Sequence, residues 1–211
     1  MARKFVVALA VLIPAVAAYA CWPRKAELRA FDPAEMARLE TAMWRDYYEK
    51  RYPALFYHLY ESSRAGFGFS PLASARIAMS AALAAKTFQP TRSRAEAEAA
   101  IPYLVTYYGL LREAAPVEFD VQHVASRELD WWQARREAIG PRDYGIIVAE
   151  VAALTYGKSK DDPALLTFGI VRSEAMAYRD ARGQAITEQD WTNIETQLLG
   201  AYRQLRAGVA N

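Results

Sequence analysis

The chain has 211 residues, 53% of them hydrophobic and 24% charged, with ten Gly, ten Pro and one Cys. That composition excludes disordered, collagen-like and low-complexity classes, and the length is ample for a sizeable core. Four of the 26 basic residues (Arg3, Lys4, Arg24, Lys25) lie in the first 25 positions, where there is no acid; beyond them 22 basic groups face 24 acidic ones, which leaves no nucleic-acid footprint.

Phe5 to Trp22 is a run of eighteen uncharged, largely apolar residues between Arg3-Lys4 and Pro23-Arg24-Lys25. As a helix it would span about 27 Å, enough for a bilayer core. Three readings fit it: an uncleaved anchor, a signal peptide cleaved after Ala18-Tyr19-Ala20, and a lipoprotein acylated at Cys21, for which the bulky Tyr19 is a poor match. The chain thus divides into a membrane anchor or signal segment over 1–25 and one all-helical domain over 26–211. Basic residues on both sides, including Arg29, nearly balance the positive-inside rule. The favoured placement is a single-pass protein of the cell membrane, anchored through residues 5–22, with its body outside the cytoplasm. Cys21 is the only cysteine, so the body has no disulfide.

From Phe31 onward the chain reads as one capped helix after another. Asp32-Pro33-Ala34-Glu35 places an N-cap, a Pro at the first helical position and a capping-box acid in order. Met36, Leu39, Met43 and Tyr47 then form an apolar face, and Pro53 either kinks this helix or starts another. Ser70-Pro71 opens an Ala-rich helix that stops before Pro90. Ser93 with Glu96 opens one running to Leu111 with a kink at Pro102. Asp120 caps a helix closed by Gly140-Pro141, and Asp143 caps the next, ended by Gly157. Asp162-Pro163 starts another, ended by Gly183, and Thr187 starts the last, closed by Gly208. No stretch alternates with period two. The expected fold is therefore an all-α bundle of about seven helices behind an N-terminal hydrophobic helix.

Ala152 to Ser159 (AALTYGKS) resembles a phosphate loop in spelling only. It straddles a helix end and runs into Asp161-Asp162, whose charges would repel a phosphate. Gly66-Phe67-Gly68-Phe69 lacks the third Gly of a dinucleotide fingerprint and reads as a tight connection. Carboxylates on the apolar stripes carry more information. Glu40, Glu128, Glu150 and Glu195 each lie three or four residues from core positions, one per helix. A two-metal carboxylate bundle needs two Glu-x-x-His pairs, and position +3 from these acids is Met43, Trp131, Ala153 and Leu198. The sequence therefore implies no metal and no cofactor. The acids should instead pair with Arg45, Arg51, Arg135, Arg172 or Arg179, leaving room for a polar pocket lined by Glu40, Glu128, Glu150, Glu195, Arg45 and Arg135. Truncating Glu128 should then strand a buried Arg.

His58 has no partner acid at helical spacing on a metal pattern and reads as a packed or surface-edge histidine. Adjacent aromatics (Tyr47-Tyr48, Tyr107-Tyr108, Trp131-Trp132) cannot share one helix face, so one of each pair should point away from the core. No nucleophile elbow, paired His or body Cys suggests catalysis. The leading expectation is a membrane-tethered or exported interaction module that meets a protein partner through surplus aromatics. A bundle that binds an apolar ligand such as a lipid or quinone is the alternative, with a carboxylate-based enzyme behind it.

Overall fold

The computed structural model describes residues 14–20, 22 and 26–210. Nine α-helices run from Pro33 to Val209: α1 (Pro33–Tyr48), α2 (Tyr52–Arg64), α3 (Pro71–Phe88), α4 (Arg94–Ala97), α5 (Ile101–Arg112), α6 (Val121–Arg136), α7 (Pro141–Tyr156), α8 (Pro163–Arg182) and α9 (Glu188–Val209). Short 3-10 turns cover Glu98–Ala100 and Gly183–Ala185. There is no strand among the described residues, so the body is an all-α bundle. Residues 14–20 are helical, and Val16 and Tyr19 there are exposed. Most of the 5–22 run lies outside the described residues, and among those described no helix is long and apolar enough to cross a membrane.

The start signals act as read. Asp32, Ser70, Ser93, Asp120, Asp162 and Thr187 each accept a backbone N–H at their helix start, and Thr187 with Asp190 completes a capping box. The count exceeds seven because two prolines divide what one pattern joins. Pro53 lies in the first turn of a new helix, α2, and Pro102 in the first turn of α5, where a missing N–H leaves no bond unmade. The Ser93 helix accordingly lasts one turn before its 3-10 continuation. Two further boundaries differ. Gly140, not Asp143, precedes α7, because Pro141 is already helical and leaves Asp143 within the first turn. Gly208 does not end α9, whose last turn is held by the fully buried Val209.

Eight of these helices close into a ring. Each packs on the next, α1 on α2, α2 on α3, α3 on α5, then α5 to α9 in order, and α9 returns to α1. The helices alternate up and down, so the N-terminus of α1 and the C-terminal ends of α2, α5 and α7 meet at one end, the floor. A strap of residues 26–31 crosses that floor. Glu27 N–H donates to Phe67 O and Leu28 N–H to Ala114 O, both at 3.2 Å, while Tyr156 Oη–H donates to Leu28 O at 3.0 Å. Leu28 and Phe31 drop into the core.

The tightest seam is α7 on α8. A Cβ on Gly145 would come within 2.8 Å of Ile170 Cα, and one on Gly169 would fall on Gly145 O and on the backbone of Ala149. Here two backbones touch because neither residue has a side chain. Gly169→Ala is therefore expected to force the helices apart and destabilise the protein by about 3 kcal/mol. Gly200→Ala, where nothing lies within 4 Å of the new Cβ, should stabilise it by about 0.5–1 kcal/mol through helix propensity. Urea unfolding of both variants measures the difference in sign.

Candidate functional site

Three helices that are not neighbours in the ring, α1, α6 and α8, face one another across its interior, and helical spacing stacks their side chains in layers. Next to the floor Met36, Val124 and Phe168 are buried and apolar. One turn on come Glu40, Glu128 and Arg172. Above them are Trp44, Trp131, Trp132 and Met176, and the opposite end, the rim, carries Tyr48, Arg135 and Asp180.

In the charged layer Glu40 is 3% exposed. It accepts from Arg172 Nε at 2.8 Å, from Arg172 Nη2 at 2.5 Å and from Tyr202 Oη at 2.7 Å. Burial works against the charge on Arg172, and Glu40 more than restores it, so the guanidinium is held above its ordinary pKa. Glu128 accepts from Tyr108 Oη at 2.8 Å and from Trp132 Nε1 at 2.9 Å. Its partners are thus neutral donors, not the arginine that spacing suggested. Arg172 Cζ lies 5.2 Å from the Trp131 ring centroid and 5.9 Å from that of Trp44. At the rim Arg135 donates to Asp180 at 2.7 Å and to Tyr48 Oη at 2.5 Å, and Tyr48 Oη–H donates to Asp180 at 3.0 Å. This latch ties the C-terminal ends of α1, α6 and α8. Arg179 stacks over the Tyr48 ring, its Cζ 3.1 Å from the centroid.

The structure thus brings Glu40, Glu128 and Arg135 to one interior and leaves Glu150, Glu195 and Arg45 outside it. Glu150 on α7 pairs with Arg127 at the α6–α7 surface, where Arg127 also holds Asp130 at 3.0 Å. Glu195 is exposed, because Ile194 and Leu198 already occupy the inward face of α9. It lines a shallow groove of about 480 Å³ between α1 and α9. Arg45 borders the same groove, bonded to Glu188 at 2.5 Å and to Glu49 at 2.9 Å. The spacing argument missed Tyr202 and the Tyr107-Tyr108 pair as site residues, and it treated Arg172 only as a counter-ion. The stripe Phe168, Arg172, Met176 carried that information, since it places a cation between two core positions.

His58 does have an acid, supplied by α1 and not by its own helix. His58 Nδ1 lies 2.7 Å from Asp46 Oδ2, so Nδ1 carries the proton, and Arg51 Nη2 sits 2.8 Å from Asp46 Oδ1. Asp46 is 2% exposed, and this triad pins α2 to α1. The Gly157-Lys158-Ser159 turn begins at a left-handed C-cap, φ +63°, and Ser159 Oγ accepts from Asp161 N–H. It is a helix stop. Among the described residues no three His, Cys, Asp or Glu side chains gather as metal ligands. The aromatic pairs behave unequally. Tyr47 points outward while Tyr48 joins the latch, but Tyr107 with Tyr108 and Trp131 with Trp132 all pack against the core.

Compared with known proteins, the chain matches no family model, no curated sequence and no solved structure.

Two measurements follow from the site. Glu40→Leu leaves Arg172 buried without its counter-charge and should cost about 3–5 kcal/mol. Glu128→Leu strands only the neutral donors of Tyr108 and Trp132 and should cost about 1–3 kcal/mol. Urea unfolding should rank the two in that order. Alkaline pH supplies the second. Burial raises Tyr144 to about 12 and pushes Tyr108 and Tyr202 well above their ordinary value of 10.0, with Glu128 and Glu40 adding to the last two. The unfolded chain therefore loses these protons first. Stability that is complete below pH 10 should fall as pH rises from 10 toward 12, by up to about 1.4 kcal/mol per pH unit for each such tyrosine. A flat unfolding free energy over that window would show that these phenols reach solvent.

Proposed function

We propose that the protein is a membrane-tethered helical interaction module whose working surface, the outer face of α2 and α3, lies against the lipid interface beside the tether. One observation carries this reading. Of the eleven exposed large apolar or aromatic side chains among the described residues, eight fall between Val16 and Met79: Val16, Tyr19, Trp22, Tyr47, Tyr52, Tyr57, Leu72 and Met79. Helix α2 is the extreme case. It carries Tyr52, Phe56, Tyr57 and Tyr60 in thirteen residues, yet its only buried residue is Ser63. An aromatic helix left this uncovered beside an apolar run fits the headgroup region, where Tyr and Trp rings place a polar edge in water and a face in hydrocarbon. Continuity supports the same occupant. Arg64 at the end of α2 donates to Tyr19 Oη at 3.4 Å, so the helical segment 14–20 reaches the bundle at this face. The residues 5–22 would supply the tether, and burial of scattered aromatics would add to it.

The test uses the full chain with Cys21→Ser as background. Tyr57→Cys and Ile139→Cys then each supply one thiol at positions of similar exposure, 57% and 42%. In intact vesicles a membrane-impermeant maleimide should label position 139 several-fold faster than position 57, and detergent should abolish the difference. Equal rates in intact vesicles would sink the proposal.

A further inference from the structure

We propose that the ring interior between α1, α5, α6 and α8 binds a planar apolar ligand bearing a carbonyl oxygen, of the quinone class, with Tyr107 Oη and Arg172 Nη1 as its hydrogen-bond donors. This is a site separate from the α2–α3 surface and does not depend on it.

Most polar atoms of this layer are already used. Both oxygens of Glu40 accept from Arg172 and Tyr202, and both oxygens of Glu128 accept from Trp132 and Tyr108. Arg172 spends Nε and Nη2 on Glu40. Among the described residues two donors in this layer have no hydrogen bond, Arg172 Nη1 and the hydroxyl of Tyr107. Neither belongs to the buried polar atoms that lack a partner, so both still present surface to a solvent-sized molecule. Consistently, the Arg172 side chain keeps 16% of its surface exposed, and Tyr107, Trp44, Trp132 and Glu128 are all half-buried. Tyr107 nonetheless lies within electrostatic reach of Glu128, Arg172 and Glu40, and its ring meets that of Tyr108 edge-on at 5.1 Å.

The charge count then selects the ligand. Two carboxylates and one guanidinium leave this layer negative, which disfavours an anion. A cation would meet the positive guanidinium at the open Arg172 Nη1, and each carboxylate oxygen there already accepts at least one hydrogen bond. What remains is a neutral molecule that accepts hydrogen bonds. The Trp44 and Trp131 rings near the guanidinium favour a flat apolar body, and two free donors beside them favour a carbonyl at its edge. The way in is the rim, since the strap covers the floor. Arg135 and Asp180 of the latch keep 30% and 41% of their side-chain surface exposed.

The experiment is calorimetric titration of the detergent-solubilised full chain with duroquinone, alongside durene, the same tetramethyl ring without carbonyls. Duroquinone should bind saturably at one site and durene more weakly. Tyr107→Phe removes a hydroxyl that bonds nothing in the structure, so its Tm should equal that of the wild type. Its duroquinone affinity should drop by about threefold to tenfold, the loss of one hydrogen bond, while durene binding stays the same. Absence of saturable duroquinone binding overturns the proposal. So does equal duroquinone affinity in the wild type and Tyr107→Phe, or a Tyr107→Phe loss that durene shares.

Discussion

Arg172 sits where α1, α6, α8 and α9 converge, and a guanidinium there has to be compensated on the spot. Removing it from water costs several kcal/mol unless a counter-charge and hydrogen-bond acceptors come with it. Glu40 supplies the charge and Tyr202 completes the carboxylate's bonding. The arrangement follows from the ring itself. Eight helices closed in sequence set α1, α6 and α8 facing one another across the interior, where long side chains fill the layers above Met36, Val124 and Phe168. Those side chains are Trp, Tyr, Arg and Glu, and their buried polar ends need partners. An ion pair of this kind contributes little net stability, but it penalises any packing that separates its members.

The two ends of the ring are closed by different means. At the floor the strap of residues 26–31 is held by backbone N–H groups and by Tyr156, with Leu28 and Phe31 plugging the core. At the rim only side chains meet, Tyr48 with Arg135 and Asp180, and these remain partly exposed. Backbone closure backed by apolar burial is the more permanent of the two, and a side-chain latch opens by rotamer changes alone. Residues 14–20 approach the bundle at Arg64, on the floor side. A tether on that side would leave the rim free.

The ring also explains why the aromatic pairs depart from the one-face rule. A helix on the surface of a simple two-layer bundle buries one stripe. A helix in a closed ring has a neighbour on each flank and the interior in front, so its buried arc is wider and takes in both members of an adjacent pair. Trp131 turns toward Arg172 while Trp132 turns toward Glu128 and Phe88. Helix α2 also has a neighbour on each flank, yet it fully buries only Ser63 and leaves Tyr52 and Tyr57 in the open.

The helical class and most helix starts were readable from the chain alone, because caps and prolines act within one turn. Asp32, Ser70, Asp120, Asp162 and Thr187 bond to backbone two or three residues away whatever surrounds them. Spacing also showed that acids lie on apolar stripes, and for Glu40 and Glu128 that placed the residue inside. It failed for Glu195, since a residue beside a core position sits at the edge of the stripe, and which edge is covered depends on the next helix. Partner choice was beyond the chain's reach for the same reason. Glu40 and Arg172 are 132 positions apart, as are Tyr48 and Asp180, and Asp46 reaches His58 only because α2 folds back on α1. Those pairings exist only once the ring has closed, because closure is what brings non-neighbouring helices face to face.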